Sequence, residues 1–551
     1  MISVLLLNTL VIGVACIVFH HSGGFIDALN HYMDFSFHYL ILAISFAVLI
    51  PLVEHFISIR IKIEPVHIDW KKWSRRLLYL MAAILFCMNL LRIFDNAFWG
   101  DEGFTIQLAK MSVGEMIQKT AADVHPPLYY LWVQLLYHIG GNNGITYHLS
   151  ALIPYGLLLI FACMAIRKQF GTIPAAILIV MSSLMKQSVT YNVEARMYSL
   201  AALFVLAAFY ELYKILDSGK VLHWVIFTLA SLAAAYTHYY ALMSVAFFYV
   251  VLWGLMLPRK KYIKQTILVS TLTVLGYMPW FGILLTTFGR TSEGWWLESI
   301  PSFKDGMLAV FDYQWLYWVT LLVIVIYVLY QLDIIGLVSS GRGSNYKLKI
   351  QCEMGGSTKM SSEMIWILTG VWSVVGTLLV GLLLSYAIRP LFVVRYLYVI
   401  TPAAYLILGV CLKKMHFRRI WAVLLIGAIL WNNIPLFFNT YQGERSLNQN
   451  TAIFLDQVQP EKSEKIYTNN THLGWSLLEY YYPENPRAYI GEITDIINED
   501  YENSWLYWTA PLSEEAYAVL EDAGYSVLKK FEGTFANGVY YYAYVVQKAS
   551  G

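Results

Sequence analysis

The sequence predicts a polytopic α-helical membrane protein with a small α/β domain at its C-terminal end. Three observations predict it. Of 551 residues, 58% are hydrophobic and only 13% are charged, against about 25% charged in soluble proteins. Apolar runs of the length that a bilayer core demands, about 20 residues, recur along most of the chain. Charge is also unevenly divided. From Tyr441 onward 16 acidic residues face 7 lysines and arginines, a net of −9, so the overall +2 leaves +11 on the preceding residues.

The candidate spans are residues 2–20, 37–58, 77–95, 148–166, 172–190, 197–216, 221–237, 240–257, 265–287, 317–338, 364–387, 396–412 and 419–438. Lysine and arginine mark the cytoplasmic loops of membrane proteins. They cluster at Arg60–Arg76, Arg167/Lys168, Lys214/Lys220, Arg259–Lys264, Arg342–Lys359 and Lys413–Arg419. These clusters share one side only if the chain crosses an even number of times between neighbours. Between Arg76 and Arg167 that allows two crossings, so the short apolar run 128–139 does not span. Its aromatics Tyr129, Tyr130, Trp132 and Tyr137 suit a helix lying in the outer interface. Thirteen spans follow, with the N-terminus cytoplasmic and the C-terminal domain outside. The first run lacks the charged start and cleavage site of a signal peptide and reads as a retained span. The expected divisions are residues 1–76, two N-terminal spans and a cytoplasmic loop; 77–440, the membrane core; and 441–551, the soluble domain.

The outer loop 96–147 reads as structured. Ser112-Val113-Gly114-Glu115 is a capping-box pattern, and Val113, Met116 and Ile117 form a small apolar face. Pro126-Pro127 suits the first turn of a second helix. Two surface helices thus frame Asp101, Glu102 and His125. The Gly- and Ser-rich loop 339–363 reads as a flexible connection. The outer loop 288–316 carries Trp295, Trp296 and Trp315, which suit the headgroup level and a fold over a lipid substrate. In the tail, strands are expected at Lys465–Thr468, Ala488–Gly491, Trp505–Thr509, Ser526–Phe531 and Val539–Val546. Helices are expected at Leu447–Gln457, Leu473–Tyr482 and Ser513–Ala523. The cysteines (Cys16, Cys87, Cys163, Cys352, Cys411) outline neither a disulfide framework nor a zinc site. No basic run resembles a nucleic-acid tract.

The chemistry centres on Asp101 and Glu102, two adjacent acids directly after a span, where charge is costly and usually functional. His125 follows in the same loop. Arg389 and Arg395 flank the outer start of run 396–412, and a guanidinium suits bidentate phosphate binding. Lys186, near the outer end of run 172–190, is a further cation for the same task. Glu194, Arg196 and Tyr198 lie at the outer end of two spans, with His238 and Tyr239 on the same side as weaker candidates. An outer-face base and phosphate-binding cations in a membrane fit one reaction. An acceptor hydroxyl attacks a sugar carried on a lipid phosphate. The departing lipid phosphate is a stable anion, so it needs cationic stabilisation rather than a strong acid. One carboxylate suffices, unlike the acid and base pair of glycoside hydrolysis.

Four stretches resemble the bacterial family 39 glycosyltransferases of the GT-C superfamily, whose relatives include protein O-mannosyltransferases and the lipid A aminoarabinose transferase. They are Asp101-Glu102 after a span, Asp123-Val124-His125-Pro126-Pro127-Leu128-Tyr129-Tyr130, Glu194-Ala195-Arg196-Met197-Tyr198, and Arg395-Tyr396-Leu397 before a span. The resemblance covers most of residues 77–438. It implies a GT-C-type core with outer juxtamembrane helices, a polyprenyl-phosphate sugar donor, an external active site and inversion at the anomeric carbon. It also implies Asp101 as catalytic base with Glu102 assisting. The N-terminal spans and the tail depart from the core pattern. The expected function is therefore transfer of a sugar from a polyprenyl phosphate to a lipid, glycan or protein acceptor, with His125, Arg389, Arg395 and Lys186 on the donor phosphate. Glu194, Arg196, Tyr198, His238 and Tyr239 shape the site. The reaction requires no cofactor, and a divalent ion at Asp101/Glu102 would find only a weak ligand set in adjacent carboxylates. The competing class is a transporter or flippase of a lipid-linked sugar. That class expects internal repeats and midplane polar residues, whereas the charges here gather at one surface.

Overall fold

The structure is a computed structural model. It describes residues 69–548 except 96, 291–298, 333–334, 340–345, 351–360, 389, 416–417, 471–476, 494–502 and 536–538. The chain divides into two compact units, Met1–Trp73 and Ser74–Gly551, and only residues 69–73 of the first are described. The two expected N-terminal spans, Arg389, Trp295 and Trp296 lie outside the described residues.

Helices dominate. In order they are α1 (Trp70–Arg92), α2 (Gly100–Lys110), α3 (Val113–Ala122), α4 (Leu128–Gly140), α5 (Gly144–Phe161, continued through a π-helical turn Ala162–Ile166 to Phe170), α6 (Thr172–Leu184), α7 (Lys186–Tyr191), α8 (Tyr198–Ser218), α9 (Val221–Thr237), α10 (Tyr239–Arg259), α11 (Ile263–Arg290), α12 (Phe303–Phe311) and α13 (Gln314–Gln331). A hairpin β1 (Ile335–Ser339) and β2 (Tyr346–Ile350) follows, then α14 (Ser362–Ala387), a 3₁₀ segment Val394–Ile400, α15 (Thr401–Lys414) and α16 (Arg418–Gln457). Among the described residues, 9 helices are long and apolar enough to cross a membrane, and α6 and α9 are shorter apolar helices. This is a multi-pass membrane protein. Of the eleven expected spans within the described residues, nine overlap these long helices, and runs 172–190 and 221–237 overlap the shorter α6 and α9.

The 3₁₀ segment and α15 form the buried centre of the bundle, while α11 and α1 present mostly apolar, exposed surfaces. Packing at the centre is close. A Cβ on Gly409 of α15 would come within 2.7 Å of the Pro174 backbone on α6, so only glycine fits there.

Three expectations need correction. Run 172–190 is not one helix, because Met185 is extended (φ −65°, ψ 148°) and separates α6 from α7. The reason is tertiary: the Lys186 N–H, orphaned at the start of α7, donates to the Asp312 carboxylate. Run 317–338 stops at Gln331, and Asp333 and Gly336 are poor residues for prolonging an apolar helix. The connection expected to be flexible contains an antiparallel hairpin pairing Ile335 with Ile350 and Ser339 with Tyr346. The alternation Tyr346-Lys347-Leu348-Lys349-Ile350 is the period-two signal of a strand.

The tail continues with β3 (Lys465–Thr468), α17 (Leu478–Tyr481), β4 (Arg487–Tyr489), β5 (Asn503–Trp508), α18 (Glu514–Asp522), β6 (Tyr525–Phe535) and β7 (Val539–Lys548). The sheet order is β4-β3-β5-β7-β6, with β4, β3 and β5 parallel and β7 and β6 antiparallel. All five expected strands are present, and Ser513 caps α18 as its sequence suggests. Leu447–Gln457 is not a separate helix but the end of α16, whose 40 residues run unbroken from the bundle into the tail. Of Leu473–Tyr482, only Leu478–Tyr481 is helical among the described residues.

Candidate active site

The segment 96–147, expected to carry two surface helices, holds three. The additional one, α2, places Asp101 and Glu102 in its first turn, where the helix dipole favours carboxylates. Trp99 precedes it in extended conformation (φ −115°, ψ 176°), and its N–H donates to Glu102 Oε2 at 3.1 Å. Glu102 thus closes its own helix start. Its other oxygen, Oε1, accepts from the Ala195 N–H at 2.7 Å. Buried Glu102 therefore ties the turn before α2 to the turn between α7 and α8.

The neighbouring elements behave as their residues suggest. Ser112 caps α3 and Glu115 reaches back to the Ser112 N–H at 2.9 Å. Of the expected apolar face only Met116 is buried; Val113 and Ile117 are 51% and 37% exposed. Pro127 sits at the N-cap of α4 rather than inside its first turn. Gln134 of α4 donates to the Leu108 and Met111 carbonyls at 3.1 and 2.9 Å, so α4 is pinned along α2.

Around Asp101 the fold gathers residues from distant segments. Arg395 lies 3.1 Å from Asp101 Oδ2, and Arg196 lies 3.9 Å from the same oxygen. Arg196 also donates to the Asp101 carbonyl at 3.0 Å. The Arg395 guanidinium sits 5.5 Å from the Trp99 ring centroid, a cation–π arrangement. Glu194 is buried beside them. Arg196 Nε, Glu194 Oε1 and the Tyr198 hydroxyl are buried without a hydrogen-bond partner. Buried polar atoms are nearly always bonded, so such a cluster marks a place where another molecule supplies the partners.

Two histidines complete one wall. His125 Nδ1 is 3.1 Å from Asp123 Oδ2. The His125 bond and charge hold Asp123 below its ordinary value although burial works the other way. Burial pushes His125 down, and Asp123 offsets this in part. Nδ1 therefore carries the proton and Nε2 is left as an acceptor. His238 lies 6.0 Å from His125 between ring centroids. Its Nδ1 accepts from the Tyr240 N–H at 3.1 Å, which leaves the proton of the neutral ring on Nε2. Burial, with His125, Arg196 and Arg395 nearby, pushes His238 well below its usual value.

The acids are shifted the other way. Burial and the Glu194 carboxylate push Glu102 up, although the Ala195 and Trp99 N–H groups oppose this. Burial pushes Glu194 up to about 7, with Arg196 and Arg395 opposing. Three acids thus face two arginines. Protonating both glutamates leaves an excess of positive charge, a setting suited to a phosphate.

The structure brings Asp101, Glu102, His125, Glu194, Arg196, Tyr198, His238 and Arg395 together. Two candidates have no described contact with this cluster. Lys186 is exposed, and its described bond is the backbone one to Asp312. The Tyr239 hydroxyl accepts from Trp280 Nε1 at 3.2 Å, within a separate aromatic cluster. Sequence reasoning missed His148, a fully buried residue whose Nδ1 is 2.9 Å from the Val193 carbonyl and 3.5 Å from Glu102 Oε1. The sequence signal is only a lone His at the head of an apolar run. Asn192 was also missed. It bonds the Ser182 carbonyl and the Tyr398 hydroxyl and so fixes the turn before Glu194. Among the described residues, no three His, Cys, Asp or Glu side chains are grouped to hold a metal ion.

The fold has solved counterparts. The crystal structure of ArnT from Cupriavidus metallidurans in the apo state superimposes with a TM-score of 0.54 at 11% identity, covering 85% of this chain and 97% of that one. The structure of the same protein bound to undecaprenyl phosphate gives 0.51 at 13% identity, covering 85% and 98%. The chain has the ArnT fold. The expected polytopic helical core with a small C-terminal sheet domain is therefore present. No family model and no curated protein sequence matches the chain, so the likeness to ArnT rests on the backbone arrangement.

Proposed function

We propose that this protein is an inverting glycosyltransferase that moves a sugar from a polyprenyl phosphate to an acceptor hydroxyl on the outer face of the membrane. The observation that carries the reading is the Asp101 carboxylate held through Oδ2 between Arg395 at 3.1 Å and Arg196 at 3.9 Å. The ArnT fold supports it, since one solved ArnT structure is bound to undecaprenyl phosphate. Residues 77–440 act as the catalytic core and 441–551 as the extracytoplasmic domain.

Asp101 here occupies the arginines that the donor phosphate needs. When the lipid phosphate arrives, Arg395 and Arg196 turn to it, and the Asp101 carboxylate is released as a base. The acceptor oxygen then attacks the anomeric carbon from the face opposite the phosphate. Its proton passes to Asp101, the carbon–oxygen bond to the phosphate breaks, and the bonding pair leaves on the polyprenyl phosphate. The arginines neutralise that anion as it forms, the kind of stabilisation that is usually the largest catalytic contribution. Glu102 holds the turn through the Trp99 and Ala195 N–H groups, and Glu194, when ionised, offsets part of the arginines' positive charge. His125 presents an acceptor nitrogen and His238 a donor N–H to the sugar hydroxyls.

The test is transfer of radiolabel from purified polyprenyl-phosphate sugars to a membrane extract. Asp101→Asn loses about 10²–10⁴-fold in rate, the usual worth of a positioned base, while binding donor as tightly as wild type or more so. Equal transfer by both proteins overturns the base assignment. Lipid-sugar translocation without transfer from any donor favours the transporter instead.

A further inference from the structure

We infer that the C-terminal domain is a working part of the site: Tyr480 of α17 positions the catalytic turn at Asp101 through Phe98 and His148. The inference rests on the transferase reading above. The path is continuous. The Tyr480 ring meets Phe98 edge-on at 5.1 Å and 84°, and Tyr147 at 6.3 Å. Phe98, 2% exposed, stacks on His148 at 4.7 Å and 22°. His148 Nδ1 lies 2.9 Å from the Val193 carbonyl and 3.5 Å from Glu102 Oε1. Phe98 immediately precedes Trp99, which closes α2 through Glu102 and lies beneath Arg395. The ring of a residue in the tail therefore wedges the hinge from which both catalytic acids project.

A second contact is independent of the first. Glu479, next to Tyr480, lies 3.8 Å from Lys110 at the far end of α2. The short helix α17 so touches α2 near both ends. The tail that carries α17 is mounted on α16, which is tied to the end of α1 by the Arg92–Glu444 pair and by the Tyr441 hydroxyl donating to Asp95 at 2.7 Å. The tail is thus fixed rigidly enough to set a position on α2, and an ångström of misplacement in an active site costs on the order of 10²-fold in rate.

Tyr480 is a positioning residue, and the test separates that role from a merely structural one. Tyr480→Ala lowers kcat per donor-binding site by about 10- to 100-fold while donor KM stays within about twofold, because Arg395 and Arg196 are carried on other segments of the chain. Tyr480→Phe keeps the ring and retains most of the wild-type kcat. Lys462→Ala, at an exposed ion pair of the tail, leaves both constants unchanged. Amide hydrogen exchange at residues 98–104, read without any substrate, speeds up in Tyr480→Ala and not in Tyr480→Phe. Wild-type kcat per site in Tyr480→Ala, or unchanged exchange at 98–104, overturns the inference. Accelerated exchange in Tyr480→Ala, together with a wild type that transfers no sugar from any donor, leaves the positioning role standing and removes the transferase reading instead.

Discussion

Two arginine–carboxylate contacts sit close together in the chain and do opposite work. Arg92, at the end of α1, is closed. Its Nε is 2.9 Å from Glu444 Oε2, its NH2 bonds the other oxygen, and its NH1 serves Asn89 and the Val189 carbonyl. Its guanidinium also faces the Phe437 ring at 5.4 Å. Asp101, at the start of α2, meets both Arg395 and Arg196 through one oxygen, and Arg196 Nε is buried with no hydrogen-bond partner. The Asp101 and Arg395 side chains are 21% and 20% exposed, whereas that of Arg92 is 0% exposed. The difference teaches that charge alone does not mark a site. A fully bonded arginine acts as a bolt, whereas Arg196, 3% exposed, keeps an unbonded Nε beside the half-open Asp101–Arg395 contact and is the kind of group the proposed donor phosphate would engage.

The largest expected effect tests the bolt. Arg92→Ala strands Glu444 and costs about 3–5 kcal/mol, as breaking one side of a buried pair does, seen as a lower melting temperature in detergent. Arg92→Met combined with Glu444→Leu recovers most of that loss and leaves donor KM within about twofold. Failure of the double variant to recover would mean that the pair does more than hold α16 to α1. Next in size, Arg395→Ala raises donor KM about 10- to 100-fold, the worth of a charge-assisted hydrogen bond of about 1.5–3 kcal/mol, with little change in melting temperature. A large loss of stability with unchanged KM would make Arg395 a second bolt. The smallest effect is in pH. Glu194 is raised in the fold from its ordinary 4.5 to about 7. The folded state therefore prefers it neutral, and stability is lost as pH rises from about 4.5 through about 7. Over its folded titration near pH 7 the ionising carboxylate competes for Arg196 and Arg395, so donor KM rises a few-fold. Glu194→Gln flattens that rise, and a wild-type slope in the variant would assign the titration to another group.

Much of the fold was legible because its signals are local. Apolar run length locates the helices of the bundle, period-two alternation locates the tail strands, and the Ser112–Glu115 capping box marks α3. The helix α2 was not legible. Trp99 is not a capping residue, and Gly100 and Gly103 are poor helix formers; the helix starts there because Glu102 bonds both the Trp99 and the Ala195 N–H. The break at Met185 depends in the same way on Asp312. For the candidate site, acids after a span and an arginine inside an apolar stretch were conspicuous by their cost. His148 and Arg92 were not, since a histidine or arginine at the end of an apolar run looks the same whether it anchors, bolts or orients.

The sequence by itself determined which segments seek the bilayer, which form the terminal sheet, and which residue types carry chemistry, because hydrophobicity, periodicity and charge are properties of each stretch alone. Only the tertiary structure decided which arginine faces Asp101 and which is saturated by Glu444. It also decided that the Tyr239 hydroxyl meets Trp280 and that Tyr480 of the tail reaches Phe98. These outcomes depend on how many bonding groups converge on one atom from distant segments, and packing decides that convergence.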